Sequence, residues 1–425
     1  MTVSHTYPTA AGVPDHLPTR LAITLWDFSW YTRCGQGEPY EDIDAAVADA
    51  ASLGYNAIRI CAAPMLMFGG LGVEDLARDL RIEGLGRANT GGYYGQRTRW
   101  YDAPGGYSIN LYERLEALFA AARRHGMVIM LASWEYQQAT AFAASSRWWE
   151  AIDSVPLEKR PRALATAWDG LIRWLDARGH RDRIAMVELH NEVDFSMLPP
   201  MENMADALTE LRAHHSDLVV TASYGKPPHL EMYRLPESMG AIQCHVYSYG
   251  VLDALQDELD IRGTGMENYP GDALAAMLVK DSPSPQAYGA PIAWKMNATV
   301  VTDRMIYGYD WLDADAWDTW LYSHYGEYRA MMIREITSRT KAIARAAHWR
   351  GVPAVIGEGW VGYTPLHGTF EEGPGGRALV EAGVETALAE GAWGMVLCSN
   401  AAPHHPMWEQ RAWQIRLNAK IRAQS

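Results

Sequence analysis

Eight short runs rich in Val, Ile and Leu recur along the chain, separated by longer stretches of helical period. They are LAITLWD (21–27), NAIRIC (56–61), MVIMLAS (127–133), IAMVELH (184–190), LVVTAS (218–223), AIQCHVY (241–247), PAVIGE (353–358) and GMVLCSN (394–400). A near-continuous apolar run suits a strand covered on both faces, as in a parallel sheet whose crossovers are helices. Helical patterns near 42–53, 110–125, 162–178, 202–214, 328–349, 377–390 and 407–422 supply those crossovers. Only the link between the fifth and sixth runs is too short to read as a helix. Eight such units point to a (β/α)8 TIM barrel, an α/β fold that needs about 250 residues.

The chain has 425 residues, so the surplus must sit in loops. Two long insertions, 62–108 after the second strand and 248–327 after the sixth, hold most of it, and both leave a strand at its C-terminal end, where barrels build their sites. Both are rich in Gly, Tyr and Trp, as in GGYYGQRTRWYDAPGGY and IYGYDWLDADAWDTWLY. We expect one barrel over residues 1–425 with both insertions in the wall of its binding pocket.

The net charge of −14, with no cluster of Lys and Arg, gives nucleic acid no footprint. No window reaches the apolar length of a membrane helix, and the N-terminus lacks the basic start and apolar stretch of a signal peptide. Four dispersed cysteines read as reduced thiols in apolar runs, so a cytoplasmic location is expected. Trp and Tyr number 17 and 22 against 6 Phe, a bias toward rings that combine a flat apolar face with a polar tip. Carbohydrate is a ligand that uses both properties.

The fourth run continues as VELHNEVDF (187–195), which puts Glu188, His190 and Glu192 at alternate positions. Side chains of a strand alternate between faces, so all three share one face unless a bulge intervenes. A closed barrel has a packed interior, and an unpaired carboxylate there costs several kcal/mol, roughly. Arg59, near the end of the second strand, is a partner for the deeper Glu188. Glu192, at the open end, is then left for chemistry, with His190 on the floor of the site. In PAVIGEGW, Glu358 ends the seventh strand between two glycines, which leave room for a ligand. Two glutamates facing each other across the mouth suit a retaining glycosidase, whose carboxyl groups lie about 5–5.5 Å apart.

ELHNE ending strand four and IGEG ending strand seven resemble clan A of the retaining glycoside hydrolases, the barrel group that includes the family 5 cellulases. The chain also resembles the group described as cellulase-like sugar-binding proteins. The resemblance covers the barrel and implies Glu192 as acid/base, Glu358 as nucleophile and Asn191 as donor to the sugar 2-hydroxyl. It implies that Arg59 braces the nucleophile, which one guanidinium can do while also pairing Glu188. CHVY matches a strand-six His-x-Tyr pattern, so His245 and Tyr247 line the site, Tyr247 bonded to Glu358. Two departures stand out. Strand three ends LASWEYQQ without the family's histidine, and strand eight ends VLCSN without its tryptophan platform. Trp134, Trp360 and Trp26 are the tryptophans beside strand ends that we count as substrate-binding candidates.

Other signals carry less. GEGWVG (357–362) fits a dinucleotide pattern but opens no helix and places a glutamate where phosphate would approach. The pairs His214-His215 and His404-His405 have no Cys, His or carboxylate at zinc spacing and read as solvated or helix-end residues, although His405 follows strand eight closely enough to approach the pocket. No G-x-S-x-G occurs. The expectation is therefore a retaining glycosidase needing no metal or cofactor, exo-acting on a β-linked glycoside or short oligosaccharide, as a monomer or homo-oligomer. A barrel that binds sugar without cleaving it, and a metal-dependent isomerase or aldolase, are the alternatives. For Asn191 to reach the sugar beside Glu192, strand four must bulge or twist at its tip.

Overall fold

A computed structural model describes residues 12–196, 201–362 and 365–423. All eight predicted strands form: β1 (Leu21–Asp27), β2 (Ala57–Cys61), β3 (Val128–Ala132), β4 (Ile184–Glu188), β5 (in two pieces, Val220–Thr221 and Ser223–Tyr224), β6 (Ile242–Cys244), β7 (Ala354–Ile356) and β8 (Gly394–Val396). Each pairs in parallel with its sequence neighbours, and β8 returns to β1 with Leu21 opposite Gly394, which closes the barrel. The (β/α)8 architecture is thus the one the apolar runs predict.

The helices begin where polar residues satisfy free backbone N–H groups. Asp42 accepts from Asp44 and Ala45 ahead of helix Ile43–Ser52, and Asn110 from Tyr112 and Glu113 ahead of Leu111–Arg124. The helix predicted over 328–349 extends over Ala314–Arg350, starting at Asp313, a cap that the aromatic-rich sequence conceals. It stops at Gly351, whose φ of 65° is the left-handed conformation that ends helices and favours glycine. Between the fifth and sixth strands there is only the 3-10 turn His229–Arg234.

Parity along the strands divides the barrel interior into two layers. Leu21, Ile23, Ala57, Val128, Met130, Met186, Val219, Ala241 and Val355 form an apolar plug at the N-terminal end. One step further along the same faces come Arg59, Glu188 and Gln243, all buried and hydrogen-bonded to one another. The charged groups at this depth are tolerated because Arg59 and Glu188 pair with each other, and Gln243 Nε2 adds a third donor to Glu188.

The two insertions are fastened to each other and to the loop after β3. The carboxylate of Asp310 accepts from Gly95 N and Arg97 N, both at 2.8 Å, and from the hydroxyl of Tyr288. Lys295, 4 % exposed, donates from Nζ to the carbonyls of Ala141 at 3.0 Å and Ala143 at 2.9 Å, and also to that of Gly84. Lys295→Met keeps the length and apolar stem of the side chain but leaves three buried carbonyls without a donor. It should lower the melting temperature by roughly 3–8 °C in differential scanning calorimetry; an unchanged transition would show that the clamp contributes nothing.

Candidate active site

The strand carrying VELHNEVDF breaks before its tip. β4 ends at Glu188, and Asn191–Glu192 form a turn in which Glu192 takes a φ of 46°. The turn is held from three sides: Leu189 N donates to Thr221 O at 2.7 Å, Asn191 N to Ser133 O at 2.8 Å, and Glu192 N to Ser223 Oγ at 2.9 Å. Alternation stops there, so Asn191 and Glu192, although adjacent, both border the cavity at the barrel mouth. That cavity measures about 670 Å³, within the usual range for a small-molecule site.

Glu358 follows β7 and also borders the cavity. Arg59 Nη1 donates to its Oε1 at 2.8 Å, and the Tyr247 hydroxyl to its Oε2 at 2.8 Å. The same guanidinium grips Glu188 through Nε and Nη2 at 2.9 and 2.8 Å and donates to Asn191 Oδ1 at 2.6 Å. His245 sits beneath the two carboxylates, its Nδ1 2.7 Å from Glu192 Oε1 and 3.6 Å from Glu358 Oε2. An oxygen of Glu192 and one of Glu358 lie within 4.8 Å of each other.

The electrostatics follow from this geometry. Burial opposes the charge on Glu358, but His245, Arg59 and the Tyr247 hydroxyl outweigh it and hold the carboxyl below the usual range. Burial likewise opposes a charged His245, and here Glu358 and Glu192 outweigh it, so the imidazole is held above its ordinary value. Glu192, His245 and Glu358 each offer a donor atom and could together hold a divalent cation. A cation there would lie beside the Arg59 guanidinium, which already supplies positive charge to Glu358, and would oppose protonation of His245.

Seven of the ten sequence candidates converge: Glu192, Glu358, Arg59, Asn191, His245, Tyr247 and Trp134. Trp134 lines the cavity with the Arg59 guanidinium 4.5 Å from its ring centroid. Three do not. His190 is turned away by the break in β4: its Nε2 accepts from Tyr136 N at 3.1 Å and its Nδ1 lies 2.7 Å from Asn191 O, so it braces the turn and does not floor the cavity. Burial pushes its pKa down to about 3, which leaves it neutral. Trp26 lies at the outward parity of β1, with its ring edge-on to Tyr40 at 5.1 Å. Trp360 donates to Leu397 O at 3.0 Å and packs over Gly383 of helix Pro374–Ala389, outside the barrel, so it is no substitute platform. His404 and His405, expected at the surface, are buried; His405 stands edge-on 5.7 Å from Trp100, which does line the cavity.

Other residues in or beside the site escaped the sequence reading. Gln137 accepts from Asn191 Nδ2 at 2.7 Å and donates to Glu192 Oε2 at 3.1 Å, which ties the two together from a loop with no periodic signal. Ser399, in the VLCSN segment that lacks a tryptophan, lies 2.7 Å from the Tyr247 hydroxyl and accepts from Gly359 N at 2.9 Å. Glu135 is not in the cavity: it accepts from Met65 N, Leu66 N, Ser133 Oγ and Trp148 Nε1 and so anchors the first insertion. Asp27 ends β1 at the inward parity of Ile23 and Leu25, and the parity argument that finds Arg59 and Glu188 would have found it. Its Oδ1 accepts from Ser29 N at 2.5 Å, and among the described residues nothing bonds to its buried Oδ2.

Comparison with known proteins sets this geometry in context. A family model described as sugar-binding cellulase-like matches residues 23–202 and 293–422. A provisionally assigned glycoside hydrolase from Parabacteroides distasonis has a similar structure, with a TM-score of 0.66 and 18% identity over 95% of this chain and 94% of that one. A family 5 mannosidase from Rhizomucor miehei aligns with a TM-score of 0.46 and 12% identity over 98% and 95% of the two chains. An exo-β-1,4-mannosidase from the Opitutaceae bacterium strain TAV5 gives 0.47 and 13% over 99% of this chain and 59% of its own. No curated protein sequence matches.

Burial, with a smaller contribution from Glu358, pushes Asp27 up to about 8 against the hydrogen bonds from Ser29. A carboxyl whose folded pKa exceeds its unfolded value holds a proton that unfolding releases, so its contribution is full below about pH 4 and is lost as pH rises through about 8. Asp27→Asn should remove that decline. Melting curves from pH 5 to 9 should find the variant gaining on the wild type by roughly 2–4 °C toward the alkaline end; parallel curves would contradict the assignment.

Proposed function

Since the chain belongs to the sugar-binding cellulase-like family, whose barrel is of the clan A glycoside hydrolase type, we propose that it is a retaining glycosidase. The approach of a Glu192 oxygen and a Glu358 oxygen to within 4.8 Å carries this reading, because a pair so close leaves no room for the intervening water of an inverting enzyme. Glu358 attacks the anomeric carbon while Glu192 donates a proton to the departing oxygen; Glu192 then takes a proton from the water that releases the sugar. Arg59 and Tyr247, one on each oxygen of Glu358, favour the ionised form that attack requires. Asn191, whose amide donates to Gln137 at 2.7 Å and is thereby fixed beside Glu192 at the cavity, faces the sugar 2-hydroxyl.

The substrate is a β-linked glycoside or short oligosaccharide opened from its end. Trp100 of the first insertion and Val300, Thr302 and Met305 of the second line the cavity, which favours a closed pocket over a groove and one barrel whose insertions complete its wall. A second reading, sugar binding without cleavage, draws on Glu192: both of its oxygens accept hydrogen bonds, from His245 and Gln137, as in a fixed acceptor.

A panel of aryl β-glycosides separates the two. On the sugar that the wild type cleaves, Glu358→Gly should lower kcat by on the order of 10³-fold or more. Added azide should restore turnover and yield a glycosyl azide of inverted anomeric configuration. An inactive wild type across the panel would favour binding without cleavage.

A further inference from the structure

The turn after β3 presents two side chains, Trp134 and Gln138, whose polar groups make no hydrogen bond among the described residues. Trp134 O accepts from the backbone N–H groups of Gln137, Gln138 and Ala139 at 3.1, 2.9 and 3.1 Å, so residues 134–139 are tightly wound. Gln137 is occupied with Asn191 and Glu192. Gln138, next to it, is 8 % exposed and lines the cavity, and among the described residues its amide makes no hydrogen bond. Trp134, 3 % exposed, lines it as well, and its indole N–H is unpartnered on the same terms. Neither group is sealed off, in contrast to the inaccessible indole N–H groups of Trp26, Trp311 and Trp317.

Polar groups more than nine-tenths buried are normally hydrogen-bonded, and a pair that opens only into a cavity is completed by what fills the cavity. Both are also held in place. The turn fixes the backbone, and the Arg59 guanidinium against the Trp134 ring fixes the indole. Since β3 lies between β2 and β4, the turn meets the edge of a ligand that also faces Asn191.

We infer that Trp134 and Gln138 are substrate-binding residues that read neighbouring hydroxyls on one edge of the sugar, and thereby select which pyranoside the cavity accepts. The indole N–H donates to one hydroxyl oxygen, and the amide, donor and acceptor at once, engages the next. This rests on the proposal that a sugar occupies the cavity. It assigns the strand-three end, where the family's histidine is missing, to specificity, because a site built to hydrogen-bond a hydroxyl rejects the analogue lacking it.

The test measures binding and so does not depend on cleavage. Methyl 1-thio-β-glycosides of the common hexoses, which resist hydrolysis, are titrated calorimetrically into the full-length wild type, Gln138→Leu and Trp134→Phe. Each variant should bind the preferred thioglycoside about tenfold more weakly. For one monodeoxy derivative, lacking the hydroxyl that the residue reads, variant and wild type should bind alike. Equal loss on every derivative, no loss on any, or a wild type that binds none of the thioglycosides would overturn the inference. The expected pattern combined with an inactive aryl-glycoside panel would instead count against cleavage alone. Gln138→Leu is nearly isosteric and Trp134→Phe keeps a ring, so either variant carries the test if the other fails to fold.

Discussion

The guanidinium of Arg59 is the contact around which the barrel mouth is organised. It is fully buried, and its five N–H groups are distributed among Glu188, Glu358, Asn191 and the carbonyl of Gly357. Burial works against its charge, and the two glutamates more than compensate. Removing either side of such an arrangement leaves an uncompensated charge in a closed barrel, a loss of roughly 3–5 kcal/mol. Glu188, further held by Ser223 and Gln243, is therefore part of what keeps Arg59 pointed upward at Glu358.

Above that layer lies a hydrogen-bonded cluster of side chains. His245 touches Glu192 closely and Glu358 more distantly, with Tyr247 and Ser399 completing the circle. Acidic and basic groups are thus interleaved in one local balance: the carboxyl groups of Glu188, Glu192 and Glu358 against the guanidinium of Arg59 and the imidazole of His245. The chain reaches this balance without the strand-eight tryptophan, and Ser399 stands in that segment as a hydrogen-bonding partner of Tyr247 and of the backbone at Gly359. The flat apolar surface at the mouth comes instead from Trp134 and Trp100.

The insertions matter because they are clamped by buried charge as well as by apolar contact. Asp310 and Lys295 each gather three partners from segments distant in sequence, and Glu135 gathers four donors at the base of the first insertion. A frame built this way holds a defined shape, as the proposed discrimination between sugars would require.

Strand number, strand order and the inward parity of Arg59 and Glu188 were determined by the sequence itself, because apolar runs and the two-residue period of a strand are local properties; Glu358, three residues past the inward-facing Val355, enters the cavity only because β7 ends at Ile356. Parity also placed Asp27, had it been followed along the first strand. Parity fails where the strand stops: His190 shares a period with Glu188 and Glu192, yet the turn at Asn191–Glu192 sends it behind the cavity. Trp26 and Trp360 beside strand ends looked like platforms, but which face a ring takes depends on what packs against it, here Tyr40 and the glycine of a helix. Gln137, Gln138 and Ser399 lie in segments without periodicity, so their direction was decided only by tertiary structure. The chain by itself thus specified the barrel and much of its charged centre; the loops that surround the centre acquired their geometry only from contacts between segments 54 to 215 residues apart, which no local pattern encodes.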